Sequence, residues 1–135
     1  MGVSKRILFL SFILVCTMAV LIGCQKTVPV ANPTGLMPAT AASVKKAKIA
    51  EAIIQAGQIT GWVITPDGEG KMTGTLRIRT HTAVVSITYD AMSYHIDYKD
   101  SVNLKYKDGK IHPYYNGWVR NLDKNISLKL TDLNK

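Results

Sequence analysis

The side chains best suited to metal binding are three histidines, His81, His95 and His112. They lie too far apart for a zinc motif, in which ligands are spaced a few positions apart and gathered in clusters. His95 and Asp97 alternate along one strand-like run and could supply two ligands, but two ligands do not complete a structural zinc site. The sequence therefore predicts no metal site. Because it also has no glycine-rich phosphate loop, we expect no cofactor.

Hydrolytic chemistry has candidate residues in Asp100, Ser101 and His112. A serine nucleophile needs its base within hydrogen-bond reach, and no Gly-x-Ser-x-Gly turn is present to hold Ser101 in that way. Carboxylates for glycoside hydrolysis could come from Asp90, Asp97 and Asp100, although acidic residues near strand ends are common in proteins without catalysis. We therefore assign no catalytic residue and expect a non-enzymatic protein, with a small hydrolase as the alternative.

Basic side chains alternate with apolar ones over residues 73–80, which predicts that Arg77 and Arg79 project from the same side of a strand. His95 and Asp97 are predicted to share that surface from a neighbouring strand. Guanidinium groups bind carboxylates and phosphates through paired hydrogen bonds. These four residues form the candidate binding surface. The alternative is that they bind nothing and that their charges only keep this face of the sheet soluble.

Aromatic residues near the C-terminus could stack against a sugar ring. Tyr115 and Trp118 share a helical stripe with Leu122, and that spacing favours core packing. Tyr114 lies off the stripe, and Trp62 lies in a short segment of undecided type. These last two are the aromatic side chains that we expect to be more open to solvent.

The first two dozen residues have the pattern of a secretory signal. Lys5 and Arg6 precede a charge-free apolar run over residues 7–22. The run ends in Leu21-Ile22-Gly23-Cys24, which resembles the lipobox of bacterial lipoproteins. In that family a diacylglyceryl group is attached to the cysteine sulfur, signal peptidase II cuts before the cysteine, and the new N-terminus is often acylated, for example with palmitate. The resemblance implies that residues 1–23 are removed and that Cys24 carries a stable membrane anchor.

Lipidation at Cys24 would leave the mature chain without a free thiol, because Cys16 lies in the removed segment. Removal of Lys5 and Arg6 lowers the formal net charge from +8 to +6. A nucleic-acid partner is not expected outside the cytoplasm, despite this basic charge. In enterobacterial lipoproteins, an Asp directly after the lipidated cysteine resembles a signal for retention in the inner membrane. This chain has Gln25 at that position. We therefore expect the protein to be anchored in the outer membrane and to face the periplasm. An uncleaved anchor helix and an ordinary signal peptide are the alternatives.

The mature chain divides into a tether and one domain. Residues 24–42 contain prolines among small residues and are predicted to form a flexible tether. Residues 43–135 are long enough for a single modest core. The domain is predicted to begin with a helix over residues 43–55, with Ser43 as its cap and Gly57 as its stop.

Period-two alternation predicts an antiparallel meander in the middle of the domain. The runs with this pattern span residues 73–80, 83–89 and 93–98, and shorter segments at 61–64 and 101–106 could each add a strand. Helical spacing begins at Pro113, although Ile126, Leu128 and Leu130 also alternate as a strand would. The predicted fold is α+β, with a three- to four-stranded antiparallel meander and an N-terminal and a C-terminal helix packed on one face.

The C-terminal half is similar to small bacterial lipoproteins of unassigned function, in residues 98–106, in Ile111 and His112, and in residues 115–122. This resemblance implies no activity. We therefore expect a lipid-anchored protein of the cell envelope that acts as a binding or adaptor module. The candidate partners are another envelope protein, an anionic lipid or a cell-wall polymer. The alternatives are a small cell-envelope hydrolase and an inhibitor of a cell-wall enzyme. The sequence leaves the oligomeric state open.

Overall fold

Two helices and two antiparallel sheets make up the described part of the chain. The computed structural model describes residues 26–39, 44–133 and 135. The elements in chain order are β1 (Val28–Pro29), β2 (Thr34–Leu36), α1 (Lys46–Thr60), β3 (Val63–Pro66), β4 (Lys71–Ile78), β5 (His81–Tyr89), β6 (Ser93–Val102), β7 (Lys110–Ile111) and α2 (Pro113–Asp132). The predicted signal sequence, Cys24 and Ser43 lie outside the described residues. Within those residues, neither helix has an apolar stretch long enough for a bilayer crossing.

The main sheet has five strands in the order β2-β6-β5-β4-β3, and every neighbouring pair is antiparallel. Strands β1 and β7 form a separate two-stranded pair. The predicted α+β class and antiparallel sheet are confirmed. The predicted count of three to four strands is wrong, because β3 adds one edge of the sheet and β2, which precedes α1, adds the other.

One hydrophobic core joins the sheet to both helices. Alternate residues of the three long strands are buried, as the period-two pattern requires. Helix α2 contributes a stripe at helical spacing, and α1 contributes a shorter one. The largest fully buried side chains of this core are Ile49, Ile53, Met72, Ile87, Tyr94, Ile96, Leu104, Ile111, Tyr115, Leu122, Ile126 and Leu130.

Helix α1 differs from the prediction at both ends. It begins at Lys46 and continues to Thr60, with Gly61 as its C-cap at φ 83°. Gly57, predicted as the stop, is a buried residue inside the helix, where a Cβ would overlap the side chain of Ile64. A helical glycine is tolerated here because strand β3 packs directly against it. Gly61 ends the helix because glycine adopts a positive φ without the cost that a Cβ imposes.

Helix α2 continues from Pro113 to Asp132. Its last turns, for which the sequence allowed a helix or a strand, are therefore helical. Pro113 occupies the first turn, and His112 caps the helix by accepting a hydrogen bond from the Tyr114 amide (3.2 Å). Ile126 and Leu130 are buried one turn apart, whereas Leu128 is 54% exposed. A strand would have placed all three on the same side, so the burial follows the helical period.

The predicted strand over residues 101–106 does not form as a separate element. Ser101 and Val102 are the last residues of β6, which bends at a bulge opposite Val84 and Val85. Asn103 and Lys105 then adopt positive φ values of 57° and 55°, which break the extended conformation.

The N-terminal segment is docked on the domain, in contrast to the predicted flexible tether. Strand β1 pairs with β7, and β2 pairs with the outer edge of β6. Asn116 is 6% exposed, and its side-chain amide donates to the Pro29 carbonyl (2.8 Å) and accepts from the Ala31 amide (2.9 Å). Asn32 accepts from the Tyr98 amide (2.9 Å). Because Asn116 satisfies backbone groups of this segment and Asn32 of the segment satisfies a backbone amide of β6, residues 26–39 belong to the fold.

Gly35 allows β2 to approach the sheet closely. It pairs with Tyr94, and a Cβ at position 35 would overlap the tyrosine ring. The ring covers the glycine, as aromatic residues commonly do at sheet edges. The hydroxyl of Tyr94 donates to the Asp123 carboxylate of α2 (2.7 Å). Burial, followed by that hydrogen bond, raises the pKa of Tyr94. One side chain thus connects the edge strand to the helix.

Candidate binding surfaces

The uncovered side of the five-stranded sheet is the surface predicted to carry Arg77. We call it the sheet face and define it by the outward residues of its three long strands: Lys71, Thr73, Thr75, Arg77, Thr82, Val84, Ser86, Thr88, His95, Asp97 and Asp100. All are exposed or half-buried, because they alternate with the core residues. Three of the four predicted binding residues, Arg77, His95 and Asp97, therefore share one surface.

Hydrogen bonds across strands hold several of these side chains in place. The Lys99 ammonium reaches across β5 to donate to the Thr73 hydroxyl (3.0 Å) and to the Asp67 carboxylate (3.4 Å). At the outer edge, the Thr34 hydroxyl lies 3.0 Å from His95 Nδ1. The hydrogen bond from Thr73, followed by those from Lys99, lowers the pKa of Asp67. Thr73 and His95 of the sheet face are thus held by side chains of neighbouring segments.

The charges on the sheet face balance. Its outward cations are Lys71 and Arg77, and its outward carboxylates are Asp97 and Asp100. The ion pair of Lys99 with Asp67, bonded to Thr73 of this surface, adds one charge of each sign. The basic character of the whole chain is therefore not concentrated on this surface. A balanced polar surface suits a partner that presents both signs of charge, whereas a polyanion would meet as many carboxylates as cations.

The predicted position of Arg79 beside Arg77 is wrong. Strand β4 ends at Ile78, and Arg79 lies in the following turn with a φ of 54°. A turn residue in the left-handed region no longer follows the alternation of the strand, so its side chain leaves the sheet face. Arg79 instead lines a recess of about 340 Å³ at the end of the sheet, together with Ile78, His81, Tyr114 and Trp118.

This recess is lined by the rings of His81, from β5, and of Tyr114 and Trp118, from the start of α2, and the His112 ring packs against Tyr114. The ring centroids of His112 and Tyr114 are 4.3 Å apart, those of Tyr114 and Trp118 are 6.1 Å apart, and His81 lies 6.2 Å from Trp118. His81 Nδ1 donates to the Asn103 carbonyl (2.7 Å), which fixes the ring at the end of the sheet. We call this region the aromatic end; it consists of Ile78, Arg79, His81, His112, Tyr114 and Trp118.

The structure decides which predicted aromatics are open. Tyr114 is 59% exposed, as expected. Trp62, predicted to be open, is only 2% exposed and belongs to the core. Tyr115 is buried, as its helical stripe predicted, whereas Trp118 on the same stripe is half-buried and also lines the recess. The sequence missed the aromatic end because its rings come from segments that only the fold brings together.

The residues considered for hydrolysis do not converge. The Ser101 hydroxyl bonds the Tyr98 hydroxyl (2.9 Å), and the Asp100 carboxylate accepts from the Ser101 amide (2.8 Å). His112 uses its Nδ1 to cap α2. A nucleophile and its base must share a hydrogen bond or a substrate site, and these three side chains are engaged elsewhere. Among the described residues, no three His, Cys, Asp or Glu side chains are placed to bind a metal ion.

A second recess, of about 290 Å³, lies near the opposite end of the sheet and is lined by Lys46, Glu69, Asp90 and His95, among others. Lys46 and Glu69 form an ion pair (2.7 Å), which raises the pKa of the lysine and lowers that of the glutamate. Asp90 accepts hydrogen bonds from the Met92 and Ser93 amides, which lower its pKa. Both ions of the pair are well exposed to solvent, so this recess is a solvated polar depression.

No protein-family description matches this chain, and no curated protein and no solved structure shows significant similarity to it.

Proposed function

We propose that this chain is a lipid-anchored, non-enzymatic protein of the bacterial cell envelope, and that it uses the sheet face to dock another envelope protein. The observation that carries the proposal is the sheet face itself, an uncovered polar surface with cross-strand hydrogen bonds and balanced charge. Such a surface offers donors and acceptors in a fixed arrangement. Fixed polar groups of both signs give specificity toward a protein surface.

The proposed location rests on the N-terminal sequence. The basic residues, the apolar run and the Leu21-Ile22-Gly23-Cys24 box together support secretion followed by lipidation of Cys24. Gln25 at the next position supports an outer-membrane location facing the periplasm. Two or more acyl chains make the anchoring stable.

The nature of the partner follows from the charge. An anionic polymer would gain from Lys71 and Arg77 but would be repelled by Asp97 and Asp100 on the same surface. A protein can place a cation opposite each carboxylate and an anion opposite each base. If this chain is instead an inhibitor of a cell-wall enzyme, that enzyme would be the docked protein. The hydrolase alternative is not favoured, because Asp100, Ser101 and His112 are each bonded elsewhere.

Lipidation is tested by mass spectrometry of the protein purified from membranes of its native host. We expect the intact chain to begin at Cys24 with diacylglyceryl and acyl groups attached. A Cys24→Ala variant should keep its leader and lose the lipid mass. An unmodified chain that begins at Met1 in the wild type would overturn the proposed location.

The docking surface is tested by cross-linking in the native host, with a photoreactive amino acid placed at one position at a time. Thr75 lies in the middle of the sheet face, and Lys124 is an exposed control position on α2. We expect Thr75 to yield one defined protein adduct, identifiable by mass spectrometry, and Lys124 to yield none. Equal adducts from both positions, or an adduct from Lys124 alone, would contradict the proposal.

A further inference from the structure

The docked N-terminal segment limits how far the domain can lie from its lipid anchor. Cys24 precedes Val28 by four residues, and Val28 is paired with Ile111. Four residues span at most roughly 14 Å even when fully extended. A flexible tether of residues 24–42 would have held the domain off the bilayer. With β1 and β2 paired to the domain, only a few residues separate the lipid from the fold.

The same pairing fixes where the chain leaves the domain. Strand β1 runs antiparallel to β7, with Val28 opposite Ile111 and Pro29 opposite Lys110. In an antiparallel pair, the residues before Val28 and those after Ile111 flank the same end of the pair. His112 and Tyr114, which follow Ile111, are part of the aromatic end. The chain therefore enters β1 at the end of the β1–β7 pair from which the aromatic end continues.

The chemistry of the aromatic end fits a membrane interface. Tyr114 and Trp118 carry an apolar ring with one polar atom, the combination that is enriched at the headgroup level of bilayers. Arg79 lines the same recess, and none of the described residues that line it is acidic. Lys26, on the exit path, is exposed. Basic side chains close to a membrane are attracted to anionic headgroups.

We infer that the aromatic end is a membrane-contact surface: it inserts Tyr114 and Trp118 among the headgroups of an anionic bilayer and sets the domain directly on the membrane. This inference rests on the proposed lipid anchor at Cys24. It adds a second contact with the bilayer, made by the folded domain itself. The sheet face remains free for a partner, because its outward side chains belong to a different surface.

The experiment uses the two tryptophans as depth probes in the mature lipidated protein, which begins at Cys24. The protein is reconstituted into vesicles of phosphatidylethanolamine and phosphatidylglycerol, part of which carry bromine on the acyl chain near the headgroup. Trp118 is expected to shift its emission to shorter wavelength and to lose emission in brominated vesicles. Trp62 is buried in the core and supplies the internal control. A Trp118→Phe variant should therefore lose nearly all of the bromine-dependent quenching.

Two substitutions on α2 form a matched pair for the membrane contact. Tyr114→Ser at the aromatic end should reduce the quenching of Trp118. Leu128→Ser, a comparably exposed position near the other end of the helix, should leave it unchanged. Arg79→Glu should reduce quenching in vesicles with phosphatidylglycerol more than in vesicles of phosphatidylcholine alone. Far-ultraviolet circular dichroism checks that each variant is folded.

The outcomes separate the membrane contact from the anchor. If mass spectrometry finds no lipid on Cys24, the proposed anchor is wrong and the contact falls with it. If Cys24 is lipidated and the vesicles hold the protein, but Trp118 is quenched no more than Trp62, the contact alone is overturned. Protection of Trp118 by soluble cell-wall fragments, with no quenching by brominated lipid, would also overturn it and would assign the rings to a glycan.

Discussion

The sheet face and the aromatic end meet where β4 ends, but their side chains are held in different ways. On the sheet face, polar groups bond one another across strands, as Lys99 does with Thr73 and Asp67, and the charges balance. At the aromatic end, rings from β5 and α2 line a recess to which Arg79 adds a positive charge. Directional polar groups suit a partner protein of defined shape, whereas exposed aromatic rings suit a lipid interface, which has no defined shape.

Arg77 and Arg79 are close in sequence but lie on different surfaces, Arg77 on the sheet face and Arg79 at the aromatic end. They are two residues apart and would share one face of an extended strand. Because Ile78 is the last residue of β4, Arg77 remains on the sheet face and Arg79 turns into the recess. The end of one strand therefore assigns two similar side chains to different surfaces.

The largest expected effect comes from Asn116, which holds the N-terminal segment to α2. Asn116→Ala removes two hydrogen bonds to the backbone of that segment and should lower the free energy of unfolding by about 2–4 kcal/mol, because a buried side chain is lost and two partly buried backbone groups lose their partners. Urea unfolding measures this. The released segment would also lengthen the tether, so quenching of Trp118 should fall while cross-linking from Thr75 persists. Asn121→Ala, an exposed position on the same helix, should stay within about 0.5 kcal/mol of wild type.

The next effect concerns the close approach of β2 to the sheet. Gly35→Ala should lower the free energy of unfolding by about 1–3 kcal/mol, because its Cβ would overlap the Tyr94 ring in a packed site. Gly117→Ala is the matched control, in open space on α2. It should stabilise the protein by about 0.5–1 kcal/mol, since alanine favours a helix. If both substitutions gave the same sign in urea unfolding, the close packing of Gly35 against Tyr94 would be wrong.

A pair of charge reversals separates the two surfaces functionally. Arg77→Glu should reduce the yield of the Thr75 adduct at least about tenfold, which corresponds to about 1.4 kcal/mol of lost complementarity. Arg79→Glu should leave that yield unchanged and reduce Trp118 quenching instead. If Arg77→Glu instead reduced Trp118 quenching and Arg79→Glu reduced the Thr75 adduct, the assignment of the two arginines to their surfaces would be wrong. Equal effects of both variants on both readouts would show that the regions act as one surface.

The smallest expected effect is the acid response of the sheet face. The pKa of Asp67 is lowered in the fold, so its contribution to stability is present above the ordinary carboxyl value of about 3.9 and is lost as the pH falls through the lower folded value. Asp67→Asn should therefore lower the Tm slightly at neutral pH, and this difference should vanish in acid. Quenching of Trp118 should not differ between the two proteins at any pH. A Tm difference that grows on acidification would contradict the lowered pKa.

Local pattern predicted most of the regular structure of the domain. The three long strands and α2 follow from periodicity, because each buries one face on the same core. The ends of elements were less predictable: Gly57 is accommodated inside α1 by packing against Ile64, and a positive φ at Arg79 ends the alternation of β4. Burial of Trp62 likewise depends on where β3 joins the sheet.

The candidate surfaces were predicted in part. Arg77, His95 and Asp97 share the sheet face because strands in an antiparallel sheet keep their alternation in common. The rings of the aromatic end could not be assembled from sequence, since His81 and Trp118 are distant along the chain and belong to elements of different period. The docked position of residues 26–39 was also missed, because the prolines that suggest a tether are compatible with short edge strands.

The sequence by itself determined the lipobox resemblance, the alternation of the long strands and the helical period that begins at Pro113. These properties are local, since each depends on the order of neighbouring side chains. Only the tertiary structure decided that Asn116 holds the N-terminal segment to α2 and that Val28 pairs with Ile111, next to His112. Backbone pairing of an edge strand depends on a partner far away in the chain, and no local pattern encodes that partner.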